Sequence, residues 1–239
     1  PVVTFSINES DAITAVSHNL REETFKHFKI DKEIDVIMNF VDVARFNRKP
    51  IDAFRKAIAP TGERILLHAS NFRKIKRVPD VVRIFASVRS KIPCKLLFVG
   101  DGPERSTAED LSRELGVSDD VLFVGKQEQM EDILAIADVF LLTSEYESFG
   151  LAALEAMAAK VPVVSTDAGG LAEINIHGET GFLSKVGDVD LMSEQVMQLL
   201  QSESTLKSFR ANAYKQACKF DIHHIIPQYE KLYSRFVKS

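Results

Sequence analysis

The chain has 239 residues, of which 45% are hydrophobic and 27% charged, an ordinary globular composition with room for one large or two modest domains. Its 30 Lys and Arg against 34 Asp and Glu give a net charge of −4 without a long basic block, which argues against nucleic-acid binding. No stretch approaches roughly 18 uninterrupted apolar residues, so no membrane span is predicted, and the isolated Cys94 and Cys218 indicate a reducing, cytoplasmic compartment.

Residues 1–40 are predicted to form a short first unit. Their pattern predicts a strand at residues 12–17, a helix at 18–28 and a second strand at 34–38. Because the unit is too short for its own core, we expect it to pack on the rest of the chain or on a partner domain. The chain begins with Pro1 rather than Met, which suggests a fragment or a processed product.

A polar stretch over residues 47–60 separates this unit from a longer α/β pattern. Short β-branched or leucine-rich runs then alternate with helical stretches, which predicts a parallel sheet with helices on both faces. The predicted strands are 64–69, 95–99, 121–124, 138–142 and 161–165. The predicted helices are 78–91, 104–115, 128–137, 149–159, 169–175, 188–202, 204–219 and 224–238.

The loops that follow these strands are predicted to form one ligand-binding edge. Glycines stand at 100, 125 and 169–170, close behind three of the strands, and the polar segment 144–150 follows a fourth. In open α/β sheets, ligands bind outside the carboxyl ends of the strands. Residues 100–103 alone indicate only a tight turn.

Glu155 lies in a helical run with Leu151, Leu154 and Met157, so the helix is predicted to be buried. A buried carboxylate needs hydrogen-bond donors, and no Lys or Arg occurs between Glu147 and Lys160. We therefore expect a ligand to supply them, and the two adjacent hydroxyls of a ribose suit one carboxylate.

The start of the same helix and a basic loop are complementary. Ser148 is the predicted N-cap, and the free backbone N–H groups of roughly residues 149–152 would attract a phosphate. Arg73, Lys76 and Arg77 follow the strand at 64–69, either as a solvated charge run or as a clamp for a diphosphate.

Other polar clusters favour structural roles. Asp188 and Asp190 have the spacing of a metal–nucleotide motif, but they precede a helix, which favours capping. His223 and His224 lack acidic or Cys companions, so no metal site is predicted there.

Residues 144–158, 161–174 and 177–183 resemble the nucleotide-sugar half of retaining GT-B glycosyltransferases, whose paired glutamates match Glu147 and Glu155. The resemblance covers about residues 65–185. It implies the Rossmann-like C-terminal domain of the GT-B fold, with a UDP-sugar as a substrate and neither a metal nor another cofactor.

By matching position, the resemblance implies that Glu155 binds the ribose and Glu147 the donor sugar. Backbone N–H groups of residues 149–151 would bind the sugar and diphosphate, and the loop 125–127 would flank the uracil. The implied catalytic residues are Glu147, Arg73 and Lys76, and the implied donor-binding residues are Glu155, Phe149, Gly150, Leu151, Ser148, Arg77, Gly125, Lys126, Gln127 and Gly100. Either Lys76 or Arg77 could bind the phosphate together with Arg73.

Residues 38–42, 70–77 and 125–127 are further similar to the N-acetylglucosaminyl L-malate synthases, which begin bacillithiol biosynthesis. The similarity implies transfer of N-acetylglucosamine from UDP-N-acetylglucosamine to L-malate. In that family the acceptor site lies in an N-terminal domain, almost all of which this chain lacks. The chain is therefore expected to bind UDP or the UDP-sugar but to be deficient in malate binding and catalysis.

The implied domains are the end of the acceptor domain at 1–40, the nucleotide-sugar domain at 41–218 and a C-terminal helix crossing back at 219–239. Two alternatives stay open: a lipid or polysaccharide acceptor, and a non-catalytic nucleotide-binding module. The sequence also leaves open whether the missing domain exists as a separate piece and whether the chain forms a homo-oligomer.

Overall fold

The computed structural model describes residues 2–236 of the chain. Its strands are β1 (Thr14–Ala15), β2 (Asp35–Val36), β3 (Arg64–Ser70), β4 (Cys94–Gly100), β5 (Val121–Phe123), β6 (Val139–Leu142), β7 (Val163–Thr166) and β8 (Gly181–Ser184). Its α-helices are α1 (Val2–Glu9), α2 (His18–His27), α3 (Val43–Phe46), α4 (Asp52–Ile58), α5 (Val78–Arg89), α6 (Arg105–Glu114), α7 (Met130–Ala135), α8 (Leu151–Ala158), α9 (Leu171–Ile174), α10 (Val189–Leu200), α11 (Glu203–Ala217) and α12 (Ile222–Ser234).

Strands β3 to β8 form one parallel sheet in the order β5-β4-β3-β6-β7-β8. The chain moves outward from β3 to β5, returns to the other side of β3 with β6, and continues outward to β8. This reversal creates a topological switch point between β3 and β6, where ligands of open α/β sheets bind outside the carboxyl ends of the strands.

Helices cover both faces of this sheet, as its continuous apolar strands require. Ile65 and Leu67 of β3 share a buried cluster with Leu154 of α8 on one face. On the other face, Leu66 shares a buried cluster with Phe85 of α5 and with side chains of α10. The predicted parallel sheet with helices on both faces is therefore confirmed.

The strands and helices predicted from residue 64 onward are present, with their ends displaced by a few residues. The prediction missed β8, a strand of only four residues that pairs with the edge of β7. It was also wrong to treat residues 47–60 as a polar separator, because they contain α4. Tertiary contacts hold this helix, since Arg55 donates hydrogen bonds to the carbonyl oxygen of Ile136 and to Asp138 Oδ2.

The N-terminal unit pairs β1 with β2 in parallel and adds α1, which the pattern did not predict. Ile37 shares a small buried cluster with Ile225 and Leu232 of α12, and the Tyr229 hydroxyl donates to the Ile37 carbonyl oxygen at 3.4 Å. The C-terminal helix therefore packs on the N-terminal unit. The domain boundaries at residues 40 and 218 stay a prediction. Pro1 of the predicted unit 1–40 and residues 237–239 of the predicted unit 219–239 lie outside the described residues.

Across residues 2–236, no helix combines the length and apolar character that crossing a lipid bilayer requires.

The loops at the carboxyl edge of the sheet press closely on one another. Gly100, with φ +117°, donates its N–H to the carbonyl oxygen of Gly125 at 2.8 Å. A Cβ at Gly100 would lie 1.8 Å from the carbonyl oxygen of Ser70, at the end of the neighbouring strand. The position therefore requires glycine for its conformation and for the approach of the two loops.

We predict that Gly100→Ala destabilises the fold more than Gly116→Ala. At Gly116 (φ +69°) a Cβ meets nothing within 4 Å, so only the left-handed conformation is penalised, by about 1–2 kcal/mol. At Gly100 the displaced backbone adds roughly 1–3 kcal/mol. Urea denaturation measures both free energies of unfolding, and equal losses would show that the loops do not need this approach.

Candidate functional site

The loop after β3 carries two residues in a strained backbone conformation. Phe72 and Arg77 have φ values of +38° and +48°, and they flank the 3-10 turn at Lys74–Lys76. Bulky residues rarely adopt such angles, and they keep them only where surrounding contacts impose them. Thr143, after β6, donates its hydroxyl to the Lys76 carbonyl oxygen at 2.8 Å and so ties the loops together.

His68 anchors the start of this loop. The imidazole is fully buried in β3, and its Nδ1 lies 2.9 Å from the carbonyl oxygen of Leu141, which can only accept, so Nδ1 carries the proton. Nε2 then accepts from the Ser70 hydroxyl at 2.8 Å, and that oxygen accepts the N–H of Phe72 at 3.2 Å. Burial lowers the pKa of His68 to about 4, so the ring stays neutral. The sequence contained no motif that pointed to this residue.

The predicted catalytic side chains of the β3 and β6 loops meet at the switch point. Lys76 Nζ lies 2.5 Å from Glu147 Oε1, and both side chains are largely buried, with 19% and 15% exposed. The Ser144 hydroxyl donates to the same carboxylate oxygen at 2.8 Å. The pair therefore places one cation and one anion at the position where an open α/β sheet binds its ligand.

The two arginines of the basic loop differ in their contacts. Arg77 pairs with Asp80 at 2.6 Å and with Glu145 at 3.1 Å, and the Asp80 hydrogen bond is the main cause that raises its pKa. Arg73 is exposed and makes no side-chain hydrogen bond or ion pair with the described part of the chain. Arg73 therefore has its guanidinium available for a ligand, whereas Arg77 holds two protein carboxylates.

Ser148 is not the N-cap of α8, and that prediction was wrong. The helix begins at Leu151, with Gly150 at the cap position in the left-handed region (φ +96°) and no capping side chain. The Ser148 carbonyl oxygen instead accepts the hydroxyl of Ser17 at 2.6 Å. The positive φ favours glycine at this turn, and a Cβ would also lie 2.5 Å from Leu171 Cδ2 of α9.

The start of α8 has free hydrogen-bond donors. The backbone N–H groups of Phe149, Gly150 and Leu151 donate to no group among residues 2–236. Such N–H groups at a helix start, together with the helix dipole, favour an anion. The Phe149 ring is buried against Phe220, so this residue has only its backbone to offer a ligand.

The N-terminal unit is joined to the same region through α2. Glu173 of α9 accepts the backbone N–H groups of His18 and Asn19, at 3.0 and 2.8 Å. Ser17 caps α2 by accepting from Leu20 while it donates to Ser148. These links orient the N-terminal unit toward the segment before α8. The sequence pattern predicted this role for neither Ser17 nor Glu173, which lies in the resembling stretch 161–174.

The prediction that α8 is a fully buried helix was wrong. Glu155 is half-buried and lies on the exposed face of α8. Leu151, one turn earlier, is 45% exposed, and residues four apart share a helix face. Burial raises the pKa of Glu155, Arg45 opposes the shift, and Glu131 adds to it. Within residues 2–236 the Glu155 carboxylate has no hydrogen-bond or ion-pair partner, as its sequence context indicated. It is therefore partly desolvated yet still open to a ligand.

A cavity of about 350 Å³ opens beside the loop after β5. Its lining is mainly apolar, and Gln127, Gln129 and Asp132 add polar side chains. Gln127 Nε2 donates to the Val124 carbonyl oxygen at 2.6 Å, which fixes this side chain, whereas Lys126 is exposed. Apolar walls with a few polar groups suit a flat heterocycle.

Residues 2–236 contain no group of three His, Cys, Asp or Glu side chains arranged to hold a metal ion. Asp188 caps α10 by accepting the N–H of Leu191 at 3.2 Å, so the predicted capping role is confirmed. Cys94 and Cys218 are both free thiols.

Residues 51–216 match the family model described as glycosyl transferases group 1. The chain is 42% identical over 237 residues to the N-acetyl-alpha-D-glucosaminyl L-malate synthase of Bacillus anthracis, which covers 97% of this chain and 61% of that protein. It is 32% identical over 158 residues to the 2-deoxystreptamine N-acetyl-D-glucosaminyltransferase of Niallia circulans, which covers 63% of this chain and 41% of that protein. The chain thus spans less than two thirds of the length of these relatives.

Solved structures share the fold. Anabaena Alr3699/HepE in complex with UDP-glucose matches with a TM-score of 0.90 at 22% identity, covering 98% of this chain and 66% of that chain. Sucrose-phosphate synthase from Thermosynechococcus elongatus matches with a TM-score of 0.86 at 24% identity, covering 98% and 60%. At these identities the likeness concerns the fold alone.

We predict that His68 makes stability depend on pH below neutrality. Its folded pKa of about 4 lies below the ordinary 6.5, so its contribution is complete above pH 6.5 and is lost as the pH falls toward 4. The free energy of unfolding should fall by up to about 1.4 kcal/mol per pH unit in that window. His68→Gln cannot titrate and should lose this part of the slope.

Urea denaturation of both proteins between pH 4 and pH 7 measures the difference. Parallel profiles would mean that His68 is not held neutral by its burial.

Proposed function

The chain belongs to the group 1 glycosyl transferase family, with the Rossmann-like C-terminal domain of the GT-B fold, and we propose that it binds the donor in a retaining transferase. The donor would be UDP-N-acetylglucosamine and the acceptor L-malate. The observation that carries the donor site is the free helix start of α8, together with Arg73, unpaired among residues 2–236, and the Lys76–Glu147 pair at the switch point.

In this proposal the donor diphosphate lies between α8 and the β3 loop. The N–H groups of Gly150 and Leu151 donate to it from one side, and Arg73 and Lys76 approach from the other. Lys76 is a better partner than Arg77, because Arg77 already holds Asp80 and Glu145. As the glycosidic bond breaks, negative charge grows on the departing UDP, and these fixed donors stabilise it.

Glu147 would contact hydroxyl groups of the donor sugar. The hydrogen bond from Ser144 and the ion pair with Lys76 hold its carboxylate in place, so the sugar meets an oriented acceptor. When the diphosphate binds, Lys76 would share its charge between Glu147 and the phosphate. The sugar and the leaving group would thus be bound by two side chains in direct contact.

The nucleoside would extend from the start of α8 past Glu155 toward the loop after β5. The Glu155 carboxylate would accept hydrogen bonds from the two ribose hydroxyls. These hydroxyls would supply the donors that Glu155 lacks within residues 2–236. The uracil would enter the apolar cavity beside Gly125, Lys126 and Gln127. We further propose that Arg73, Lys76 and the helix start neutralise the diphosphate without a metal ion or other cofactor.

The choice of L-malate rests on the 42% identity to the Bacillus anthracis synthase. A lipid or polysaccharide acceptor, or a nucleotide-binding module without activity, keeps the same donor site. The free cysteines support our proposal of a cytoplasmic protein.

We predict that the chain binds UDP saturably and that Arg73→Ala weakens UDP binding by about 1.5–3 kcal/mol without weakening uridine binding. A guanidinium that contacts only the diphosphate contributes nothing to a ligand without phosphate. Calorimetry gives the UDP affinity, and competition against UDP gives that of uridine.

Lys74→Ala is the matched control, because it removes one exposed positive charge from the same turn. It should change UDP affinity much less than Arg73→Ala. No saturable UDP binding by the wild-type chain would reject the donor site, and equal losses for UDP and uridine in Arg73→Ala would reject the phosphate clamp.

We predict the opposite pattern for Glu155→Gln, which should weaken UDP and uridine binding alike, by about 1–3 kcal/mol, since the ribose is common to both. Glu194→Gln, on the exposed side of α10, makes the same charge change away from the site. Unchanged affinity in Glu155→Gln, measured by the same calorimetry, would assign Glu155 a structural role.

A further inference from the structure

Asp138 anchors a cluster of arginines at the opposite, amino-terminal edge of the sheet. Asp138 directly precedes β6, and its side chain is only 3% exposed. It accepts the backbone N–H of Ile65 at 2.9 Å, and it pairs with Arg55 and Arg210 at 2.8 Å and with Arg64 at 3.5 Å. One carboxylate therefore forms ion pairs with arginines from α4, β3 and α11.

The charges of this arginine cluster do not balance. Arg55, Arg64, Arg210 and Lys207 bring four positive charges, whereas Asp138 and Glu203 bring two negative ones, so two positive charges are in excess. Glu203 is 78% exposed and contacts only Arg64 among these side chains. Lys207 is exposed and has no ion-pair partner in the described part of the chain.

The arginine cluster also has a hydrogen-bond donor without an acceptor. Arg210 Nη2 donates to Asp138 and to the Ala137 carbonyl oxygen, but its Nε is buried and has no partner among residues 2–236. Buried donors are almost always paired, so this unpaired N–H is an unfavourable feature of the cluster. Burial lowers the pKa of Arg210, Asp138 opposes this shift, and the neighbouring Arg55 and Arg64 add to it.

These side chains line a cavity of about 330 Å³. Asp138 cannot accept hydrogen bonds from all the guanidinium N–H groups of the cluster, because its oxygens already accept from Ile65, Arg55 and Arg210. The guanidinium groups still have N–H donors to offer, and their planar forks match the oxygens of a phosphate. An anion in this cavity would supply the negative charge that the cluster lacks and would accept hydrogen bonds from guanidinium groups in the cavity wall.

We propose that this cavity is a second anion site, which binds a phosphate group carried by a small molecule. Two excess positive charges match a phosphate dianion, and the cavity leaves room for an organic substituent beside it. The site is distinct from the proposed donor site, because it lies at the amino end of β3. The seven residues of β3 separate the two edges of the sheet by roughly 20 Å.

The test uses inorganic phosphate and the double variant R73A/K76A, which removes the two side chains proposed to bind the donor diphosphate while leaving the arginine cluster intact. Calorimetric titration at constant ionic strength should show saturable phosphate binding to this variant. Absence of saturable binding would overturn the proposal, whether or not the wild-type chain binds UDP.

Two further substitutions in that background locate the site. Lys207→Glu reverses an exposed charge at the cavity, and Arg64→Gln removes a guanidinium, so each should weaken phosphate binding at least tenfold. Arg113→Ala, which breaks an exposed ion pair with Asp110 on α6, should leave it unchanged. Thermal unfolding in chloride checks that Lys207→Glu and Arg64→Gln remain folded.

If Lys207→Glu and Arg64→Gln leave phosphate affinity unchanged, the phosphate binds elsewhere and the proposal fails. If Arg113→Ala weakens binding as much as they do, the effect is general electrostatic attraction and the proposal also fails.

Discussion

The contact between the β3 and β6 loops is the constraint on which the candidate site depends. These strands are parallel neighbours in the sheet but distant in the chain, so Lys76 and Glu147 meet only because β6 returns to the other side of β3. Thr143 and Glu145 bind the carbonyl oxygens of the basic loop, which places Arg73 and Lys76 at the carboxyl edge before any ligand arrives. Because these charges are already in position, they can act on a ligand without a rearrangement of the protein.

Holding this loop requires support from the core beneath it. The strained backbone at Phe72 depends on the buried chain of hydrogen bonds from Leu141 through His68 to Ser70. The neutral imidazole suits this position because it donates at one nitrogen and accepts at the other. Packing of the Phe72 ring against Phe98 adds an apolar contact below the basic residues. The position of the surface charges thus follows from the interior of β3.

Three acidic side chains show how burial and hydrogen bonding separate structure from candidate function. Asp138 is buried and fully supplied with donors, and Glu131 pairs with Arg45 and Arg48. Glu155 is partly buried but has no donor among residues 2–236, and its raised pKa reflects that difference. A carboxylate that loses water without gaining a partner is destabilised, so a ligand with hydroxyl groups would relieve it. The buried Nε of Arg210 presents the same problem with the opposite charge.

The sequence by itself determined the parallel sheet, because apolar runs such as residues 64–69 can only be buried between helices. It also identified Glu155 as a carboxylate without local partners. Tertiary structure decided what distant segments contribute. Contacts of Arg55 with Ile136 and Asp138 hold α4 in place, and α8 starts only at Leu151, after Gly150 in the left-handed conformation. The pairing of Lys76 with Glu147 could likewise not be predicted from the sequence, because local patterns do not show which loops meet across the sheet.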